Sequence, residues 1–134
     1  MKTAVIYWSG TGNTEAMAKA AAEGANAELF EVSEFKGNAA EYDAFAFGCP
    51  AMGAEVLEET EFEPMFNECE AMLGGKCIAL FGSYGWGDGE WMRNWEDTCK
   101  ADGAVMACEP VICNEAPDGD AAEACKALGA AIAQ

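Results

Sequence analysis

The chain contains no histidine, and its 7 lysines and arginines face 24 aspartates and glutamates, a formal charge of −17. A surface so short of cations repels phosphate backbones and anionic lipid headgroups, which argues against nucleic-acid and membrane-surface binding. A protein partner is expected to bring a basic face instead. No C-x-x-C pair occurs among the cysteines at 49, 69, 77, 99, 108, 113 and 125. Without histidine or paired thiols, a zinc or iron–sulfur ligand set has little support. The cysteines read as small buried hydrophobes, and their odd number fits a reducing compartment. Met1 to Trp8 is too short for a secretory signal, and no apolar run approaches membrane-spanning length. A cytoplasmic protein is expected.

A further absence is local: no basic residue lies between Lys2 and Lys19. The interval holds Val5-Ile6-Tyr7-Trp8-Ser9-Gly10-Thr11-Gly12-Asn13-Thr14-Glu15, where an apolar run gives way to small hydroxyl, amide and glycine residues. This reads as strand, anion-binding turn and helix start. The two glycines let backbone N–H groups converge, and Ser9, Thr11, Asn13 and Thr14 add donors at a helix N-terminus. Such a turn suits a phosphate held by neutral donors alone. A P-loop fails for want of its lysine. The dinucleotide fingerprint, for which Gly10, Gly12 and Glu31 are suitably spaced, fails because position 15 is Glu and not Gly. An ordinary βα turn would not need an unbroken run of small polar residues from 9 to 14.

The length fits one domain, 1–134, able to bury about two-thirds of its unfolded surface. Glu15 to about Gly24 carries Met17, Ala18, Ala21, Ala22 and Ala25 at helical spacing, with Gly24 as the expected stop. Ala27 to Val32 predicts a short strand, Ser33 to Tyr42 irregular chain, and Asp43 to Cys49 a central parallel strand buried on both faces. After a long connection from Cys49 to Thr60, Phe62, Met65, Phe66, Cys69, Met72 and Leu73 mark a second helix. Thr60 and Glu63 offer it a capping box, and Pro64 is allowed in its first turn. Lys76 to Phe81 is the next strand, running into a glycine-rich stretch at 82–89. Trp91, Met92, Trp95 and Cys99 mark a third helix ending at Gly103, with both tryptophans in the core. Ala104 to Cys113 predicts a fifth strand, at an edge because Pro110 cannot donate to a ladder. Ala121, Ala124, Cys125, Leu128 and Ile132 mark the last helix. Alternating strands and helices specify a three-layer α/β sandwich around a parallel sheet. Ligands of such sheets bind beyond the carboxyl ends of the strands, so the stretches 9–14, 49–60 and 82–89 should meet on one rim.

Three motifs along the whole chain, Ser-Gly-Thr-Gly-Asn-Thr at 9–14, Gly-Cys-Pro-Ala-Met-Gly-Ala-Glu at 48–55 and Phe-Gly-Ser-Tyr-Gly-Trp-Gly-Asp-Gly at 81–89, resemble the short-chain flavodoxins. The resemblance implies a flavodoxin-like, five-stranded parallel sheet of order 2-1-3-4-5. It also implies one non-covalently bound FMN that carries single electrons at low potential between redox proteins, such as a flavin- or iron–sulfur-containing oxidoreductase. A monomer is expected. Carried over by position, the phosphate falls on Ser9, Gly10, Thr11, Gly12, Asn13 and Thr14. Met52 falls beside one face of the flavin ring, with Pro50 and Ala51 in the same cofactor-contacting stretch. Gly53, Ala54 and Glu55 fall along the reactive edge, Glu55 accepting from flavin N3–H, and Trp86 lies flat on the outer face. Ser83, Tyr84, Gly85 and Asn114 line the pyrimidine or ribityl side. The family also implies that a peptide of the 52–55 turn flips on reduction. This sequence departs from close relatives at Pro50, where some place a serine as an extra phosphate donor, and at Ala54, where a polar residue often follows the glycine.

Electrostatics sets the sign of the expected potential. One charge roughly 8 Å from a reduced flavin, at an effective dielectric near 20, opposes its extra electron by about 2 kcal/mol before salt screening, on the order of 90 mV. An uncompensated phosphate and several carboxylates make a strongly reducing carrier. The alternative on the same fold is an NAD(P)H-dependent FMN or quinone reductase, which needs room for nicotinamide against the flavin; Trp86 over that face argues against it. A receiver-type phosphate sensor needs clustered acidic residues after the first strand, and Tyr7-Trp8-Ser9 has none. Two readings stay open at Trp8, a shield for the phosphate or a packing residue. Trp86 lies between Gly85 and Gly87, where an indole is readily exposed, against the plainer reading of a core aromatic. Glu58, Glu59, Glu61 and Glu63 read as a solvated acidic face that could also meet a partner.

Overall fold

Strand alternation decides which side chains face which layer. In the computed structural model, which describes residues 2–10, 12–35, 39–52, 56–85, 87 and 89–133, β1 (Thr3–Tyr7), β3 (Ala44–Gly48) and β4 (Cys77–Tyr84) are central strands. Ala4, Ile6, Phe45, Phe47, Ile78 and Leu80 point to one face and Val5, Tyr7, Ala44, Ala46, Ala79 and Phe81 to the other. On the first face pack α2 (Phe62–Glu70) and α3 (Glu90–Ala101), through Phe62, Phe66, Trp91 and Trp95. On the second pack α1 (Asn13–Ala25) and α4 (Gly119–Ile132), through Met17, Ala18, Ala21, Cys125, Leu128 and Ile132. With β2 (Glu28–Glu31) outside β1, all pairings are parallel and the order is β2-β1-β3-β4 followed by the fifth position. This is the expected three-layer sandwich of order 2-1-3-4-5.

The fifth position corrects the expected continuous strand from Ala104 to Cys113. It is held by two segments, β5 (Val105–Met106) beside the start of β4 and β6 (Val111–Asn114) beside its end. Two residues are looped out between the pairings of Ile78 with Met106 and Phe81 with Val111. Pro110 sits in the break, where a missing N–H does no harm. The stretch from Ser33 to Tyr42 is also less irregular than expected, with 3₁₀ turns at Val32–Glu34 and Ala39–Glu41.

Gly24 is a packing residue, not the stop of α1. The helix runs on to Ala25, and Asn26, at φ 52°, caps it in the left-handed conformation that Asn tolerates. A Cβ on Gly24 would stand 2.1 Å from the carbonyl oxygen of Lys126, and one on Gly129 would stand 2.0 Å from that of Ala21. The two glycines let the backbones of α1 and α4 touch.

The start of α2 corrects two further expectations. Neither Thr60 nor Glu63 caps the helix; the N-cap position is Glu61, with no side-chain cap bond of its own. Glu58 does that work from four residues before the helix. It is 5% exposed, so it is not part of a solvated face. Its carboxylate accepts from the backbone N–H groups of Thr60 at 2.9 Å, Glu61 at 2.8 Å and Phe62 at 2.8 Å, and from the Thr60 hydroxyl. Burial favours the neutral acid, but these bonds outweigh it and hold the Glu58 pKa below the usual carboxylate range. A lowered folded-state pKa contributes stability above the unfolded value, and that stability is lost as pH falls through the folded value. Glu58→Gln is therefore expected to cost about 2 kcal/mol near neutral pH, with the gap to wild type closing below about pH 4. Paired thermal melts across this range measure it, and a gap that stays constant contradicts the assignment. Glu70, whose pKa is pushed up by burial and by the adjacent Asp102 carboxylate, contributes with the opposite sign and cancels in the difference.

Candidate functional site

Hydrogen bonds that continue the sheet ladders past the ends of the strands build one rim. Trp8 N–H donates to Gly48 O at 3.0 Å, Cys49 N–H to Phe81 O at 3.2 Å, Ala51 N–H to Ser83 O at 3.0 Å and Glu115 N–H to Tyr84 O at 2.8 Å. The segments after β1, β3 and β6 are thereby laid beside the ends of β3 and β4. Close approach is possible because Gly82 carries no side chain: a Cβ there would lie 2.2 Å from the Cys49 carbonyl oxygen. That oxygen also accepts from Trp91 Nε1–H at 3.2 Å, which anchors the 49–52 stretch to α3.

Between these segments opens a cleft of about 250 Å³, lined by Trp8, Gly10, Asn13, Pro50, Ala51, Met52, Ser83, Tyr84, Gly85 and Glu115. The rim gathers the three stretches singled out in the sequence. Its walls are apolar at Pro50, Ala51, Met52 and the Tyr84 ring, and its end at Gly10 and Asn13 adjoins the N-terminus of α1. An α-helix leaves its first N–H groups without intrahelical acceptors, and the macrodipole favours an anion there. Gly12, at φ 96°, turns the chain into the helix, and its N–H donates to the Ser9 hydroxyl at 3.0 Å, which closes the loop on itself. Thr14 is buried at 1% exposure, its hydroxyl 3.0 Å from that of Ser83 and accepting from Ser83 N–H at 3.4 Å. This side chain braces the loop against β4, and of the described loop residues Gly10 and Asn13 line the cleft while Ser9 does not.

Met52 and Val56 form an antiparallel bridge, each N–H donating to the other's carbonyl, at 2.9 and 3.0 Å. Thr11, Gly53, Ala54, Glu55 and Trp86, all expected at the cofactor, lie outside the described residues. Asn114 does not line the cleft; its amide donates to Tyr84 O at 3.3 Å and steadies the end of β4. Glu115 lines it instead, a residue missed in the sequence. It holds a positive φ of 61°, uncommon for a residue with a side chain, and nothing in its surrounding sequence marks that conformation.

No lysine or arginine is among the described residues that line the cleft. The cysteines play no visible part in it: Cys49, Cys69, Cys99 and Cys125 are buried, and burial pushes the thiols of Cys49, Cys99 and Cys125 up to about 12 and that of Cys69 to about 11. They are small hydrophobes at neutral pH. Among the described residues there is no cluster of three or more His, Cys, Asp or Glu that could hold a metal ion, and no helix long and apolar enough to cross a membrane.

Neutral donors at one end and apolar walls along the other suit a ligand with a phosphate tail and a planar head. Comparison with known proteins agrees. The family model described as Flavodoxin matches residues 5–129. The flavodoxin of Clostridium beijerinckii is 44% identical over 135 residues, covering 96% of this chain and 97% of that protein. The flavodoxin of Megasphaera elsdenii is 45% identical over 136 residues and is covered to 97%, as is this chain. The solution structure of the two-electron reduced Megasphaera elsdenii flavodoxin superposes with a TM-score of 0.88 at 42% identity, over 98% of each chain.

Proposed function

The chain belongs to the flavodoxin family of FMN-binding electron carriers, and from this premise we propose that it holds one FMN in the cleft between 9–14, 50–55 and 83–86. It is an electron carrier and not an enzyme with a substrate of its own; no observation favours the reductase alternative. When bound, FMN supplies the redox chemistry, taking up and releasing one electron at a time.

The chain's own residues hold, orient and tune. Ser9, Gly10, Thr11 and Asn13, with the backbone N–H groups at the start of α1, are the proposed phosphate donors; Gly12 shapes the turn, its N–H held by the Ser9 hydroxyl, and Thr14 braces the loop through Ser83. Pro50, Ala51 and Met52 exclude water from one side of the ring. Gly53, Ala54, Glu55 and Trp86 keep the roles implied by their motifs, as do Ser83, Tyr84 and Gly85 on the other side. Asn114 acts at one remove, through the Tyr84 carbonyl. A low potential is supported by the charge around the cleft: Glu115 lines it, Glu61 contacts Trp8 at its edge, and no described lining residue is cationic. The same shortage of cations, 7 against 24, leaves an acidic surface for a redox partner with a basic docking face. We propose a monomer of one domain, 1–134, working in the cytoplasm.

The single observation that carries the site assignment is the cleft that joins three motifs far apart in sequence around neutral donors and apolar walls. Titration of the colourless apoprotein with FMN tests it. Flavin fluorescence is expected to be quenched to a one-to-one endpoint, with potentiometry resolving two one-electron steps at low potential. Protein that leaves FMN fluorescence unchanged would refute the site, and steady NADPH oxidation by the pure holoprotein would favour the reductase.

A further inference from the structure

Trp8 is held from both sides. Its backbone N–H continues the ladder to Gly48, and its indole Nε1–H reaches across the rim to Glu61 Oε1 at 3.4 Å. The benzo edge of the same indole lies against Gly10: a Cβ on that residue would stand 3.0 Å from Cη2 and 3.2 Å from Cζ3. Glu61 is itself fixed, because its backbone N–H donates to the buried carboxylate of Glu58 at 2.8 Å. A continuous path therefore runs from the start of α2, through Glu61 and the indole, to the glycine at the head of the anion-binding turn.

Resting on the proposed phosphate role of 9–14, we propose that Trp8 is a positioning residue for that loop. Its indole, aimed by Glu61, is the surface against which Gly10 rests, and so it sets where the loop's donors point. The indole N–H is spent on Glu61, so Trp8 acts through the loop and not by donating to the phosphate. This decides between the two readings left open by the sequence. Trp8 packs, and what it packs is the phosphate loop.

Glu61 gives the test an opposed sign. If only charge mattered, removing a carboxylate near a phosphate would tighten FMN binding. If Glu61 aims the indole, Glu61→Ala should weaken it. One hydrogen bond to a charged acceptor at a partly exposed position corresponds to roughly a fivefold change in affinity. Trp8→Phe and Glu61→Ala are each expected to weaken FMN by about fivefold and riboflavin by less than about twofold. The double variant should be no weaker than either single one, because both break the same link. Glu61→Gln, whose amide oxygen still accepts, should restore most of the affinity. The measurement is quenching of flavin fluorescence by the apoproteins, with the thermal midpoint of each apoprotein as the control for folding. FMN affinity that is unchanged or tighter in Glu61→Ala overturns the proposal, as does equal weakening of FMN and riboflavin in Trp8→Phe. Wild-type protein that holds riboflavin as tightly as FMN would remove the phosphate reading beneath it, and the proposal with that reading.

Discussion

Gly82→Ala is expected to lower FMN affinity by at least tenfold and to destabilise the apoprotein by about 3 kcal/mol, although the change adds one methyl group. The new Cβ would lie 2.2 Å from the Cys49 carbonyl oxygen, 3.1 Å from its carbon and 3.1 Å from Trp91 Cζ2. A flexible side chain could swing aside, but this is a backbone carbonyl, held in place by the Cys49 N–H bond to Phe81 O, and it cannot. Cys49 must retreat, and its oxygen is the acceptor for Trp91 Nε1–H. Pro50, Ala51 and Met52 move with it, so one wall of the cleft shifts by more than a binding site tolerates. Thermal unfolding of the apoprotein and an FMN titration read the two effects separately. Wild-type FMN affinity in Gly82→Ala would show that the wall is not set by this contact.

Gly129→Ala should be the more damaging change for stability, by about 3–5 kcal/mol, a large share of the roughly 5–15 kcal/mol available to a domain of this kind. Alanine is the better helix former by about 1 kcal/mol, so propensity alone predicts stabilisation. The contact decides otherwise. The added Cβ would lie 2.0 Å from Ala21 O and 2.8 Å from Ala25 N, both backbone atoms of α1, and the helices can relieve it only by separating. Separation unpacks Met17, Leu128 and Ile132. A thermal midpoint lower by on the order of 10 °C is expected from circular dichroism, and an unchanged or raised midpoint would contradict the account.

Much of the candidate site was legible because its chemistry is local. In composition Ser9 to Thr14 read as a turn suited to a phosphate, the role proposed for them, and the apolar run before them announces the strand that presents it. The motifs at 48–55 and 81–89 follow strands for the same reason, and parallel topology then brings all three to one rim. Glu115 was not legible, since its place depends on the ladder that β6 makes with β4 and on a positive φ that Glu rarely adopts. The capping role of Glu58 was hidden for a related reason. A cap is expected one residue before a helix, and Glu58 reaches α2 only because the chain curls back through Thr60 and Glu61.

By itself the sequence determined the fold class, the strand order through the resemblance of its motifs, the acidic composition and the lack of any lysine or arginine between Lys2 and Lys19. The fold class and the charge pattern follow from periodicity, composition and short-range backbone chemistry, which act over a few neighbouring residues, whereas the strand order came only from the resemblance its motifs carry. Only the tertiary structure decided what Gly24, Gly82 and Gly129 are for, that Trp8 lies on Gly10 with its N–H turned to Glu61, and that the fifth strand breaks at Pro110. Each of those depends on atoms brought together from distant parts of the chain, and a glycine that ends a helix is spelled the same way as one that lets two helices touch.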